Sequence, residues 1–211
     1  MDAAEFREAV AAEKRPQLDR LGSETLLVAL SGGEPSPPAV LRAAAHSEYA
    51  ARETFRAWAD DEDRPDARAA FAATAEREAD HYERVRAEID DDGFDPADGG
   101  PMHAYLRGRT ATLDRVAAGT VGRGLVSLRT HAQVVDFFAS RGEERRAALF
   151  RDLRAETEAA LDDGLALLGD VATDADDWAR ARAVAGYTVQ LAYDDYADAL
   201  SGLGVGPEPD G

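Results

Sequence analysis

Two glutamates and a histidine stand out, because helical spacing places them among residues that should avoid water. From 71 to 89 the series Phe71, Thr74/Ala75, Glu78, His81/Tyr82, Val85, Ile89 advances in steps of three and four, the periodicity of one helix face. Leu41, Ala44/Ala45, Glu48, Arg52 and Phe55 repeat it earlier in the chain. An unpaired carboxylate in an apolar interior is costly, so Glu48 and Glu78 each require a metal ion, a partner or a neutralising proton. The bland alternatives are a surface Glu48–Arg52 contact, about 0.5 kcal/mol, and a half-exposed Glu78–His81 pair beside Glu76, Glu83 and Arg84.

Register gives a second argument. The segment from Asp60 to Pro65 separates the two stripes. With the turn centred between Asp63 and Arg64, Glu48 and Glu78 each lie about 15 residues from it; at ~1.5 Å rise per residue they meet at nearly one height on antiparallel helices. His81 projects from the same face one turn further on. Carboxylate oxygens plus one imidazole suit iron or manganese.

The elements that must position these groups are all helical, and strands are hard to place. Pro16 interrupts a short helix or pair of helices over about 2–30, with Leu18, Leu21 and the Leu26–Leu30 run on its buried side. The stretch 32–38, with two glycines and three prolines, stops it. Helix A is predicted over 38–61 and helix B over 66–91, with Pro65 where a helix start tolerates it. A long connection through Gly93, Gly100 and Pro101 leads to helix C, 102–140, loosened at Gly119, Gly122 and Gly124. Gly142 turns the chain into helix D, 143–169. A last helix, 174–202, precedes a Gly/Pro tail, 204–211, expected to be disordered. Two short-turn hairpins joined by one long connection are the plan of a four-helix bundle with one crossover. The expectation is one helical domain over 1–203 with its bundle core at about 38–170.

At this point the sequence resembles the ferritin-like superfamily and, within it, the rubrerythrin-like group of haloarchaeal type. Glu48 on the first bundle helix and Glu78-Ala79-Asp80-His81 on the second carry the resemblance, which covers about 38–170. It implies a site completed by a third-helix glutamate and a second Glu-x-x-His on the fourth helix, and the sequence departs from both. Folding helix C onto D about Arg141 sets Ser127-Leu128-Arg129 across from Glu156, with no glutamate among them. Glu156 and Glu158 are followed three positions on by Ala159 and Leu161. His131 is the one helix-C nitrogen that could substitute. The candidate ligand set is thus Glu48, Glu78, His81, Glu156 and His131; His46 and His103 read as structural.

Composition narrows the chemistry. Cysteine is absent, which removes disulfides, thiol nucleophiles, Fe–S clusters and rubredoxin-type iron. Forty-two acidic residues face 24 basic ones for a net charge of −18, and Lys14 is the only lysine. Such a surface suits molar salt, where charges are screened over roughly 3 Å, and the pattern reads as halophilic. No basic stripe offers itself to a phosphate backbone, so a nucleic-acid partner is disfavoured. Without a signal peptide or a long apolar run, a cytoplasmic location and no membrane partner are expected. The Gly119/Gly122/Gly124 spacing lacks the strand and Lys-Ser/Thr of a phosphate loop, and Tyr187, Tyr193 and Tyr196 read as core aromatics interleaved with solvated acids.

Two functions from different classes remain. One is a rubrerythrin-like protein binding iron or manganese for oxidative or peroxide chemistry; lacking a rubredoxin module, it would depend on a separate electron-donor protein. The other is a degenerate, metal-free domain acting as a structural or interaction module. A tRNA-modifying hydroxylase of the same superfamily would need the full di-iron set and a basic surface. The resemblance also implies a homodimer.

Overall fold

The computed structural model describes residues 2–97 and 99–205, and among these every regular element is helical. The first 31 residues form α1 (Ala3–Glu13), α2 (Arg15–Leu21) and α3 (Thr25–Ser31). Asp2 opens α1 with a capping box, its carboxylate accepting from the Glu5 N–H while its own N–H donates to the Glu5 carboxylate. Gly32 ends α3 at φ 66°, where a side chain would be strained. Leu18, Leu21, Leu26 and Leu27 are buried as their spacing requires, whereas Leu30 is exposed.

Helix α4 (Pro37–Asp61) and α5 (Pro65–Arg86) pack along their length across a three-residue turn, prolines occupying their first turns. α5 stops short of the expected residue 91. The Arg86 guanidinium turns back onto the carbonyls of Ile89 and Asp91, at 3.0 and 2.8 Å, and so holds the chain after the helix in a turn.

The expected continuous helix over 102–140 is broken. It comprises α6 (Pro101–Arg107), α7 (Thr112–Arg115), a π-helical segment (Val116–Gly122) and α8 (Arg123–Ser140). Glycines permit the π segment's close packing. A Cβ on Gly119 would lie 2.5 Å from the Trp58 ring of α4. One on Gly122 would lie 2.8 Å from the Ala185 carbonyl oxygen. α8 turns at Gly142 (φ 72°) into α9 (Glu144–Val171). The last helix, α10 (Ala175–Gly202), lies on the π segment. The predicted tail lies, from residue 206 onward, outside the described residues.

Two apolar clusters divide the interior of α4, α5, α8 and α9, the first extending outward to α1, α2 and α10, and the chain passes from one to the other at a common level. On α4 one cluster ends at Ala45 and the other begins at Ala51; on α5 the change falls between Ala75 and Tyr82, on α8 between Leu128 and Val134, on α9 between Leu153 and Leu161. The level between them is polar. Among the described residues, no helix is long and apolar enough to cross a membrane.

Candidate metal centre

Each helix sends polar side chains into that level. α4 contributes Glu48, α5 Glu78 and His81, α8 His131, and α9 Glu156 and Thr157. Glu48, Glu78 and His81 retain 3, 2 and 0 % of their surface, so the predicted stripes do bury both acids and the imidazole. One ligand atom from each of the three lies within 4.8 Å of the other two. Antiparallel register brings Glu48 and Glu78 together, and the i,i+3 step adds His81 from the same face.

The other two sequence candidates grip this trio from outside. His131 Nε2–H donates to Glu48 Oε1 at 3.0 Å. His81 Nε2–H donates to Glu156 Oε2 at 2.8 Å, and Glu156 Oε1 accepts from Arg84 at 2.9 Å. The Glu156 side chain is 40 % exposed, so it orients the imidazole from the rim and stands apart from the buried trio. Its bond leaves His81 Nδ1 turned inward, 3.9 Å from Glu48 Oε2. Glu48 makes no pair with Arg52, which bonds Glu53 and lies over the rings of Tyr49 and Tyr82. Glu158 pairs with Arg7 on the surface.

Arg123 is the residue that reasoning from helical stripes missed. It is buried, and its guanidinium takes both oxygens of Glu78 as a fork, at 2.9 and 2.7 Å. The same Nη2 stands 3.7 Å from Glu48 Oε2. The signal was present: over the thirteen residues from Val116 to Leu128, Arg123 is the one charged side chain. A charge held in such a run is there for a partner.

The electrostatics follow from burial and these contacts. Burial pushes the Glu78 carboxyl up to about 7; Arg123 opposes this and the neighbouring Glu48 carboxylate adds to it. Glu48 is held well below the usual carboxylate range: burial works against this, but the hydrogen bond from His131 and the nearby His81 imidazole outweigh it. Burial likewise disfavours the charged form of His81, yet Glu48, Glu78 and Glu156 raise it above the ordinary histidine value. Several polar atoms remain without partners in this low-dielectric level: Glu48 Oε2, His81 Nδ1, His131 Nδ1 and Arg123 Nε.

Space is limited. Beside Glu78 and Arg123, a cavity of about 10 Å³ among Phe55, Thr120 and Thr157 has room for about one water. A roomier cavity, about 270 Å³, opens between Leu26, Ser47, His103, Val126 and Tyr196 and is lined by none of the trio. His103 in its wall is buried, and burial together with the charges of Arg123 and Arg107 takes its pKa down to about 3, which keeps the ring neutral. His46 Nδ1 accepts from the Ala97 N–H, a structural role. Of the last-helix tyrosines, Tyr196 is buried with its hydroxyl 2.6 Å from that of Thr25, whereas Tyr187 is half exposed against Tyr105.

Comparison of the chain with protein-family models, with curated proteins and with solved structures returns no match.

Proposed function

We propose that this chain is a ferritin-like, rubrerythrin-type protein that holds iron or manganese between Glu48, Glu78 and His81. One observation carries the reading. Glu48 Oε2 and His81 Nδ1 face each other 3.9 Å apart, both buried and both without a hydrogen-bond partner. Bonds to a metal run to roughly 2.1 Å, so two donors on one ion lie up to about 4.2 Å apart, and this pair fits between them as it stands. The third donor, from Glu78, completes a set whose atoms lie within 4.8 Å of one another, while Arg123 bonds both of its oxygens. Two oxygens and one nitrogen are a hard donor set that suits these ions. The pairing of α4 with α5 and of α8 with α9 around one polar level supports the ferritin-like architecture.

Bound there, iron or manganese would supply one-electron redox chemistry toward oxygen or peroxide. The chain's own groups do the rest. Glu156 holds His81 in the tautomer that presents Nδ1. His131 fixes Glu48 through its other oxygen, and the two apolar clusters exclude bulk water. With no cysteine in the chain, reductant comes from a separate donor protein.

The Arg123–Glu78 fork favours a second reading, in which the level is a metal-free set of buried ion pairs inside a structural or interaction module. Glu78, Glu48 and Glu156 are then met by Arg123, Arg84 and a protonated His81, and the charges cancel without an ion. Elemental analysis of protein purified from iron- and manganese-supplied cells separates the two. The metalloprotein reading expects a stoichiometric ion that is lost in His81→Ala. Protein that purifies without metal and takes up none on dialysis against either ion would establish the second reading in its place.

A further inference from the structure

We propose that the Arg123 guanidinium stands where a second metal ion would otherwise sit, so that the centre accepts one ion and keeps a permanent organic cation beside it. The inference rests on the metal reading of the Glu48–Glu78–His81 trio and adds to it the number of ions and the residue that sets it.

Position is the first ground. Arg123 Nη1 and Nη2 take the two oxygens of Glu78, and Nη2 also faces Glu48 Oε2 at 3.7 Å. A single cationic group therefore lies against both carboxylates, as a second ion would have to. His81 Nδ1 and Glu48 Oε2, in contrast, face each other without a partner. The guanidinium fills the Glu78 side of the level, and Glu48 Oε2, which faces both Arg123 and His81, is left with His81 Nδ1 as an open pair of donors.

Side-chain length is the second ground. A glutamate carries its carboxylate oxygens as many bonds from Cα as arginine carries Nε. Arg123 Nε is itself buried and unpartnered, so a glutamate at this position would place its carboxylate where Nε now stands. The volume occupied by Cζ and the two terminal nitrogens, directly against Glu78, would be vacated. Charge is the third ground. A glutamate together with a divalent ion carries the same net charge as one guanidinium, so the exchange leaves the buried charge unchanged, the condition a low-dielectric interior imposes most strictly. The guanidinium, however, keeps its charge whatever the oxidation state of its neighbour, and it has no open positions for a ligand.

The test is a titration of wild type, Arg123→Glu and Arg123→Gln with Mn²⁺ under argon, read by equilibrium dialysis with elemental analysis and by electron paramagnetic resonance. The expected result is one ion in wild type and in Arg123→Gln. In Arg123→Glu it is two, with the exchange-coupled spectrum of neighbouring manganese ions in place of the isolated-ion signal. One ion in both wild type and a folded Arg123→Glu overturns the inference and leaves the trio reading intact; no ion in wild type overturns both. Should Arg123→Glu fail to fold, the anomalous scattering of Mn²⁺-loaded wild-type crystals decides. A single peak at the trio, with Arg123 still on Glu78, upholds the inference. Two peaks roughly 3.5–4 Å apart, with the guanidinium swung away, refute it.

Discussion

Among the described residues two arginine–glutamate pairs are buried, and they are finished differently. Arg115 and Glu62, each 4 % exposed, lie at the end of α4. Arg115 Nη1 meets Glu62 Oε2 at 3.2 Å, Nη2 meets Asp61 at 2.6 Å and Nε donates to the Arg109 carbonyl at 3.0 Å. Glu62 Oε1 accepts from the Thr112 hydroxyl and the Arg64 N–H. Among the described residues, neither side chain has a buried polar atom left over. At the Arg123–Glu78 pair the guanidinium Nε is orphaned, and so are Glu48 Oε2, His81 Nδ1 and His131 Nδ1 around it. Buried polar atoms in a folded protein are nearly always satisfied, and each exception requires a cause. The pair that pins α7 to the end of α4 closes its bonding; the polar level leaves donors and acceptors unspent, as the proposed metal site requires.

Removing each arginine in turn produces the largest effect and tests the contrast directly. Arg115→Met leaves Glu62 buried without its cation, and Arg123→Met does the same to Glu78; each is expected to destabilise the chelator-treated protein by about 3–5 kcal/mol. Denaturant unfolding measures this. The difference lies in rescue. Mn²⁺ restores charge balance to Glu78, so it should raise the midpoint of Arg123→Met by more than it raises that of wild type. Among the described residues, no buried ligand atom is left unpartnered at Glu62, so Arg115→Met should gain only the wild-type increment. Equal increments for the two variants would erase the distinction between the pairs.

The next effect is a pH dependence at the Arg123–Glu78 pair. The folded Glu78 carboxyl titrates near 7, above its ordinary value of 4.5, so between those values the folded state holds a proton that the unfolded chain has released. Stability therefore falls as pH rises through this window, by an upper limit of about 3 kcal/mol. His81, raised above 6.5, contributes stability that is complete at lower pH and is lost as pH climbs through its raised pKa, which adds to the same slope. Glu48, held low, acts in the opposite sense: its contribution is present above 4.5 and is lost only in acid. Urea melts with chelator from pH 5 to 8 should show the decline, flattened in Glu78→Gln and retained in Glu62→Gln. Metal affinity should rise over the same range, because the ion competes with these protons. A wild-type profile without slope would separate the site from its assigned electrostatics.

What could be read from the chain alone divides along physical lines. The stripes of α4 and α5 were legible because apolar residues recur every third or fourth position around Glu48, Arg52 and Glu78, and because one short turn fixes the relative height of two antiparallel helices. The ends of α5 and the break between α6 and α8 were not. They depend on where Arg86 finds carbonyls and on how closely Gly119 and Gly122 let Trp58 and α10 approach, contacts with no period. Arg123 escaped for a related reason. The level opposite Glu156 falls on Ser127–Arg129, whereas Arg123 starts α8 one turn before Ser127 and reaches Glu78 only through the length of its side chain. Periodicity locates a face; it does not say which side chain, reaching across from another helix, will occupy the space in front of it.

The smallest effect separates orientation from stability at the rim of each pair. Glu156 bonds His81 Nε2 at 2.8 Å and Arg84 at 2.9 Å with its side chain 40 % exposed; Asp61 bonds Arg115 at 2.6 Å with its side chain 75 % exposed. Both are screened ion pairs, and truncating either to alanine should cost less than about 1 kcal/mol. Arg84 keeps Asp80, 3.2 Å away, when Glu156 is lost. The imidazole has no such reserve. Without Glu156 its ring loses the bond that points Nδ1 at Glu48, and partners of this kind are worth about 10–100-fold in metal affinity. Calorimetric titration with Mn²⁺ should therefore show Glu156→Ala weakened by that factor at nearly unchanged melting temperature, and Asp61→Ala unchanged in both. Equal affinities in Glu156→Ala and wild type would mean that packing alone orients His81, and would remove the carboxylate–imidazole bond from the description of the site.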